Sequence, residues 1–254
     1  ILGPGTITAV AETYNGTSFT EVSDLNTARR YVAGSGAVGT AAIAAGGQTT
    51  STNPVANTET WNGSSWSETA DINTARAELG GAGFAPSSAS LVFAGYTTTL
   101  NANTESWNGT SWTEVSDLNT ARRYATATGS GVQTSAILGG GYTTTNVNNA
   151  ETWDGSSWSE VAEINTARRQ QGGGSANNNS AIIYGGYTTT LSANTESWNG
   201  SSWTEVNDLS TARLDFQRAG TATGALGAGG ETGTVVANTE EFTASAVVST
   251  VTTS

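Results

Sequence analysis

Three copies of one phrase, Tyr-Thr-Thr-Thr, begin at Tyr96, Tyr142 and Tyr187. A tyrosine face beside hydroxyl and amide groups suits a sugar, because the ring stacks on apolar sugar carbons while polar neighbours hydrogen-bond the sugar hydroxyls. A second phrase, Asn/Ser-Thr-Ala-Arg, follows a carboxylate at Asp24, Asp71, Asp117, Glu163 and Asp208, and it contains Arg122 and Arg168. Tyr96, Tyr142, Tyr187, Arg122 and Arg168 form the candidate ligand-binding set. The same residues have a building role open to them. Thr and Asn close turns, and an arginine next to a recurring carboxylate pairs with it.

The composition bounds the chemistry more firmly than it assigns it. There is no His, so the commonest general base, the triad base and the commonest metal ligand are missing. There is no Cys either, which excludes disulfides and zinc or blue-copper sites of the usual kind. A carboxylate-pair glycosidase mechanism would need two carboxylates in distinct roles, but here Glu and Asp recur once per repeat, as scaffold residues do. No Gly-rich phosphate loop opens a helix, and no acidic loop shows calcium-ligand spacing. The expectation is a non-enzymatic protein with no catalytic residue, no metal and no cofactor.

Charge narrows the partners. Nine Arg and no Lys stand against 21 acidic residues, a formal net charge of −12. Such a surface has no cationic footprint for phosphate backbones, so nucleic acid is not an expected partner. No apolar run of about 18 residues exists, so no membrane-inserted helix is expected. The chain has no Met and begins Ile1-Leu2-Gly3-Pro4-Gly5, which suggests a processed protein or a piece of a longer polypeptide or assembly.

What must position these residues is a repeat. The Glu two residues before the first aromatic falls at Glu12, Glu59, Glu105, Glu151, Glu196 and Glu240, at spacings of 47, 46, 46, 45 and 44 residues. An apolar run ending in glycine recurs in phase six times, as in Ile137-Leu138-Gly139-Gly140. Each unit reads as four short strands. In one unit these are Tyr124–Thr128, Ser135–Leu138, a third beginning at Glu151, and Ser157–Val161. Asn-Gly or Asp-Gly stands between the last two strands of most units: Asn15-Gly16, Asn62-Gly63, Asn108-Gly109, Asp154-Gly155 and Asn199-Gly200. That pair is a hairpin signal, because the turn needs positive φ. Four of these turns also match the N-glycosylation pattern, and the turn alone accounts for them. The flanking Trp107 and Trp112 can pair across strands or bury on one side of the sheet.

Four strands per repeat of this length is the signature of a β-propeller. The fold expected is therefore all-β, with about six four-stranded blades forming a single domain over residues 1–254. The first blade is incomplete, since its innermost strand is missing. Its second strand would be Ile1-Leu2-Gly3, and the tail from Ala244 to Val251 would be the last blade's fourth strand. The loops between first and second strands vary most: Pro86–Ser90, Gly129–Gln133 and Gly172–Asn179. Variable loops on a rigid scaffold are where recognition commonly sits.

Gly-Gly after an apolar strand, then Glu-x-aromatic, a turn, a Trp and Leu-x-Thr-x-Arg resembles the kelch repeat. The short interval between Trp107 and Trp112 and the broken diglycine at Gly95-Tyr96 depart from it. Galactose oxidase shares the kelch-type fold, but its copper chemistry uses His and a Cys crosslink, which this chain lacks. The near-identical blades also resemble kelch-like propellers of phage and environmental bacterial surface proteins. That resemblance implies an extracellular or virion-surface location and contact with a cell-surface glycan or protein. Two alternatives stay open. One is a purely structural domain that forms a homo-oligomer or decorates a larger assembly. The other is an intracellular kelch adaptor for another protein.

Overall fold

The computed structural model describes residues 7–83, 88–127, 132–215 and 217–244. It is all-β. An N-terminal hairpin pairs β1 (Ala11–Tyr14) with β2 (Phe19–Val22). Four antiparallel four-stranded sheets follow. Blade 1 holds β3 (Ala33–Val38), β4 (Ala41–Ala45), β5 (Thr58–Trp61) and β6 (Trp66–Thr69). Blade 2 holds β7 (Gly80–Ala82), β8 (Ser90–Phe93), β9 (Thr104–Trp107) and β10 (Trp112–Val115). Blade 3 holds β11 (Thr126–Ala127), β12 (Ala136–Gly139), β13 (Ala150–Trp153) and β14 (Trp158–Val161). Blade 4 holds β15 (Gly172–Asn177), β16 (Ser180–Tyr184), β17 (Thr195–Trp198) and β18 (Trp203–Val206). Blade 5 has three described strands, β19 (Gln217–Thr221), β20 (Gly224–Ala228) and β21 (Thr239–Thr243).

Five sheets thus possess an inner strand and count as blades. The first of the six sequence repeats is represented by the β1–β2 hairpin. The strands expected at residues 1–3 and 245–251 lie outside the described residues. Arg29, just beyond β2, is bound to blade 1 in the way the arginine ahead of each later blade is bound to its own.

The Asn-Gly turns form as the sequence requires. Asn62 Oδ1 accepts the backbone N–H groups of Ser64 and Ser65 at 2.9 and 3.0 Å, and Gly63 takes φ 96°. In the Asp-Gly copy, N–H groups of Ser157 and Ser156 hold the Asp154 carboxyl down at about 2. The tryptophans on either side of the turn do both things open to them. Trp107 stands opposite Trp112, Trp153 opposite Trp158 and Trp198 opposite Trp203, with ring centroids 5.2 to 5.5 Å apart. The second Trp of the pair also reaches the preceding blade. Trp158 lies 4.8 Å from the Phe93 ring and donates its indole N–H to Thr104 Oγ1 at 2.9 Å. Between blades the core is therefore filled by aromatic and aliphatic side chains from both sheets.

Two expectations change. Residues 172–177 are the inner strand β15 and not a loop; only Asn178 and Asn179 turn the chain. Glycine suits that strand because inner strands converge. A Cβ on Gly174 would come within 2.8 Å of the Gly220 carbonyl oxygen, across the blade boundary. The strand expected from Tyr124 begins at Thr126, because Tyr124 takes a left-handed φ of 53°.

That left-handed residue recurs. Tyr31, Glu78, Tyr124, Gln170 and Asp215, all with φ between 52° and 61°, stand at the entry to the five inner strands. Their backbones are linked in series: Glu78 N–H to Tyr31 O, Tyr124 to Glu78, Gln170 to Tyr124 and Asp215 to Gln170, at 3.0 to 3.3 Å. A non-glycine residue here costs roughly 1–3 kcal/mol in backbone strain, which the blade-to-blade hydrogen bond helps to offset.

Candidate functional site

The diglycine places the tyrosines. In blade 3 the chain leaves β12, turns through Gly140 (φ 68°) and Gly141 (φ 114°), and delivers Tyr142 to an isolated bridge with Arg123. A Cβ on Gly141 would meet the Arg123 carbonyl oxygen at 3.0 Å, so only glycine fits. The equivalent bridge joins Tyr96 to Ala77 and Tyr187 to Arg169. The threonines after each tyrosine close a tight loop: Thr97 N–H donates to Thr99 O, Thr143 to Thr145 and Thr188 to Thr190, each at 3.0 Å. Thr98, Thr99, Thr144, Thr145, Thr189 and Thr190 are left exposed at the rim.

The three tyrosines are half-buried and are joined by two arginines. The Arg123 guanidinium lies 4.7 Å from the Tyr96 ring centre and 5.2 Å from that of Tyr142. The Arg169 guanidinium lies 4.9 Å from Tyr142 and 4.8 Å from Tyr187. The result is one alternating stripe across blades 2, 3 and 4: Tyr96, Arg123, Tyr142, Arg169, Tyr187. Cation–π attraction holds such a stack, and planar guanidinium stacks better than ammonium. Blade 1 has Arg30 and Gln48 at these positions, with Arg30 Nε donating to Gln48 Oε1 at 3.3 Å. Blade 5 has Leu214 and Glu231.

Arg122 and Arg168 are not in this stripe. Both are fully buried, as are Arg29, Arg76 and Arg213. Each faces the glutamate that marks its repeat. Arg29 meets Glu59 at 2.7 Å, Arg76 meets Glu105 at 2.6 Å, Arg168 meets Glu196 at 2.9 Å, Arg213 meets Glu240 at 2.8 Å, and Arg122 pairs with Glu151. The other oxygen of the carboxylate accepts a backbone N–H from the segment ahead of the arginine, as Glu105 does from Asn73 at 2.6 Å. Burial pulls the guanidinium pKa of Arg29, Arg76, Arg122 and Arg168 down, and the paired carboxylate opposes that pull. The sequence-level choice of Arg122 and Arg168 as ligand contacts is therefore corrected: their side chains lie inside the blade and cannot reach a ligand on the rim. The pairing with a neighbouring carboxylate, also read from the sequence, is what they do.

The residues that sequence reasoning missed are their neighbours, Arg123 and Arg169. The signal was the doubled arginine in Thr-Ala-Arg-Arg, present at Arg29-Arg30, Arg122-Arg123 and Arg168-Arg169. Successive residues of an extended segment point opposite ways, so one arginine enters the wall and the next reaches the rim.

Inside the stripe, nearer the axis, lies a polar cluster. Tyr124 donates its hydroxyl to Glu78 Oε1 at 2.7 Å, and Arg123 Nη1 meets Glu78 Oε2 at 3.1 Å. The Tyr31 and Tyr124 rings, two blades apart in sequence, meet edge to face at 5.7 Å. Burial raises the pKa of both hydroxyls. Gln170 Nε2 donates to Asp215 Oδ2 at 2.6 Å, yet burial, with Glu231 and Glu78 nearby, pushes the Asp215 carboxyl up to about 7. Among the described residues no group of three or more acidic side chains is placed to hold a metal ion, and no helix is long and apolar enough to cross a membrane.

These blades define the class: the chain is a β-propeller. No family model and no curated protein matches the sequence. Among solved structures, the one titled "Structure of YjhT" is similar over 92% of this chain and 88% of its own, with a TM-score of 0.75 and 13% identity. At that identity the likeness is one of fold.

Proposed function

We propose that this propeller is a non-enzymatic binding module that contacts a cell-surface glycan, displayed on a virion appendage or another extracellular surface. The observation that carries the reading is the stripe from Tyr96 to Tyr187. It offers half-buried tyrosine rings at a regular interval, those of Tyr96 and Tyr187 each with one guanidinium over them, ringed by exposed threonine hydroxyls. Flat aromatic platforms with hydroxyl neighbours suit sugar rings. The test is direct titration of the purified protein with bacterial surface polysaccharides. Saturable binding that weakens in Tyr142→Ala, with the fold intact, supports the reading, and absence of binding to every polysaccharide contradicts it.

A second reading is a structural, self-assembling domain, favoured by blade 5. Among the described residues the outer edge of β21 has no strand partner, and Tyr14 reaches it only through a hydroxyl bond to Glu241 at 2.9 Å. Glu240 is 22% exposed on its side chain, whereas its four counterparts in blades 1 to 4 are 0% exposed. A pocket of about 190 Å³ lies beside it, lined by Tyr184, Thr195, Leu209, Ala225 and Phe242. Trp158 fills the corresponding place over Phe93 and Thr104. A Trp-Thr-Glu-Val strand from a second copy would fit that edge. Mass that rises with concentration in sedimentation, in the absence of sugar, would favour this reading.

A further inference from the structure

We infer that the stripe selects anionic polysaccharide, with acid groups held by Arg123 and Arg169. This rests on the glycan reading above and adds the charge of the ligand to it.

The first reason is that the two guanidinium groups are not fully engaged. Arg123 gives Nη1 to Glu78, and Arg169 gives Nε to Gln170 Oε1 at 3.1 Å and Nη1 to Asn146 Oδ1 at 2.9 Å. Nη2 of both residues makes no hydrogen bond among the described residues. Two of the three acceptors are neutral amides, so the charge of Arg169 in particular has no carboxylate partner of its own.

The second reason is the placement of that charge. Arginine is scarce here, at nine in 254 residues against 21 acidic residues. Five of the nine are buried in the wall. Two of the remaining four sit between the tyrosine faces of the stripe. A neutral sugar would take only hydrogen bonds from a cation at that place, whereas an acid group would take hydrogen bonds and an opposite charge. A chain with an acid group on successive sugars would lie along the stripe against the tyrosine rings while each acid group accepts the remaining Nη2 donors of a guanidinium.

The third reason is that the stacking itself pre-organises the cations. Each guanidinium carbon lies within 5.2 Å of two tyrosine ring centres, and Asn146 braces Arg169 while its amide donates to Tyr187 O at 3.0 Å. Little side-chain freedom is then left to lose on binding. The acidic groups facing the stripe from the axis side are Glu78 and Asp215. Glu78 is already bonded to Tyr124 and Arg123, and Asp215 to Gln170.

The experiment compares one sugar backbone in three charge states: dextran, carboxymethyl-dextran and dextran sulfate. Each is titrated into the whole chain, into Arg123→Gln/Arg169→Gln and into Tyr142→Ala, with folding of each variant checked by thermal unfolding. Binding to at least one of the two anionic forms should be about 10- to 100-fold tighter than to dextran, as charge-assisted hydrogen bonds would give. That preference should fall with added salt and collapse to within about threefold in the double glutamine variant, as loss of those bonds requires. Whether the carboxylate or the sulfate form binds tighter identifies the anion. Equal binding of dextran and its anionic forms overturns this inference and leaves the glycan reading standing. A preference that survives in the double glutamine variant overturns it too, by placing the anion elsewhere. No binding to any of the three, or to any bacterial surface polysaccharide, overturns both.

Discussion

Arg168 and Arg169 are neighbours in sequence with opposite fates. Arg168 lies in the wall of blade 4, fully buried against Glu196. Arg169 lies on the rim between two tyrosines. The wall pair occurs in all five blades, from Arg29–Glu59 to Arg213–Glu240. The rim Arg–Tyr pair occurs in blades 3 and 4; the same position holds Ala77 with Tyr96 in blade 2, Arg30 with Gln48 in blade 1 and Leu214 with Glu231 in blade 5. A residue that every blade needs is one that builds a blade. A residue confined to some of the blades is free to serve a surface. In a repeat protein, the departures from the repeat separate scaffold from site.

The contrast can be broken most forcefully in the wall. Glu105→Ala leaves the Arg76 charge buried without its carboxylate and should cost about 3–5 kcal/mol, read from chemical denaturation. Tyr96→Ala on the rim of the same blade should lose far less, and an equal loss would erase the distinction. Next comes the turn that aims the rim. Gly141→Ala forces a side chain into φ 114° against the Arg123 carbonyl and should destabilise by more than about 1 kcal/mol. The same assay reads it, and an unchanged midpoint would show that the turn tolerates a Cβ. Tyr142→Ala, at the centre of the stripe, should weaken polysaccharide binding about tenfold by removing the ring against which both Arg123 and Arg169 pack. Isothermal titration measures this, and undiminished affinity would move the site off the stripe.

The smallest effect concerns pH. Asp215 has a folded-state pKa near 7, above its usual unfolded value, so the folded protein holds a proton that the unfolded chain releases. Its contribution is full below about pH 4 and is lost as pH rises to about 7. For a half-buried group this should amount to about 1 kcal/mol once solvent screening is allowed for. Melting temperatures across that window should fall with rising pH in the parent protein and vary less in Asp215→Asn. Parallel curves would place the titrating group elsewhere.

Much of the fold was legible because its devices are local. The in-phase glutamates, the Asn-Gly turns and the glycines after each apolar strand point to the four-strand unit, and among the described residues all three appear where the spacing puts them. What was not legible depends on contacts between distant residues. Gly172–Asn177 looks like a loop by composition, but it is an inner strand because blades converge there and leave no room for a Cβ at Gly174. Tyr124 reads as the start of a strand, but the hydrogen bonds linking successive blades turn it left-handed. At the site, Tyr96, Tyr142 and Tyr187 were visible as a repeated phrase. The choice between Arg122 and Arg123, or between Arg168 and Arg169, depends on which way an extended segment faces, and the carboxylate that settles it lies about 30 residues further along the chain.

The most direct test of the division between wall and rim is to change each member of one adjacent pair and measure stability and binding on both. Arg168→Gln should lower stability by about 3–5 kcal/mol through the stranded Glu196 charge, while any folded fraction binds anionic polysaccharide like the parent. Arg169→Gln should unfold within about 1 kcal/mol of the parent, as rim substitutions do, and lose its preference for the anionic ligand. An Arg169→Gln variant as destabilised as Arg168→Gln, with its ligand preference unchanged, would contradict the division between wall and rim.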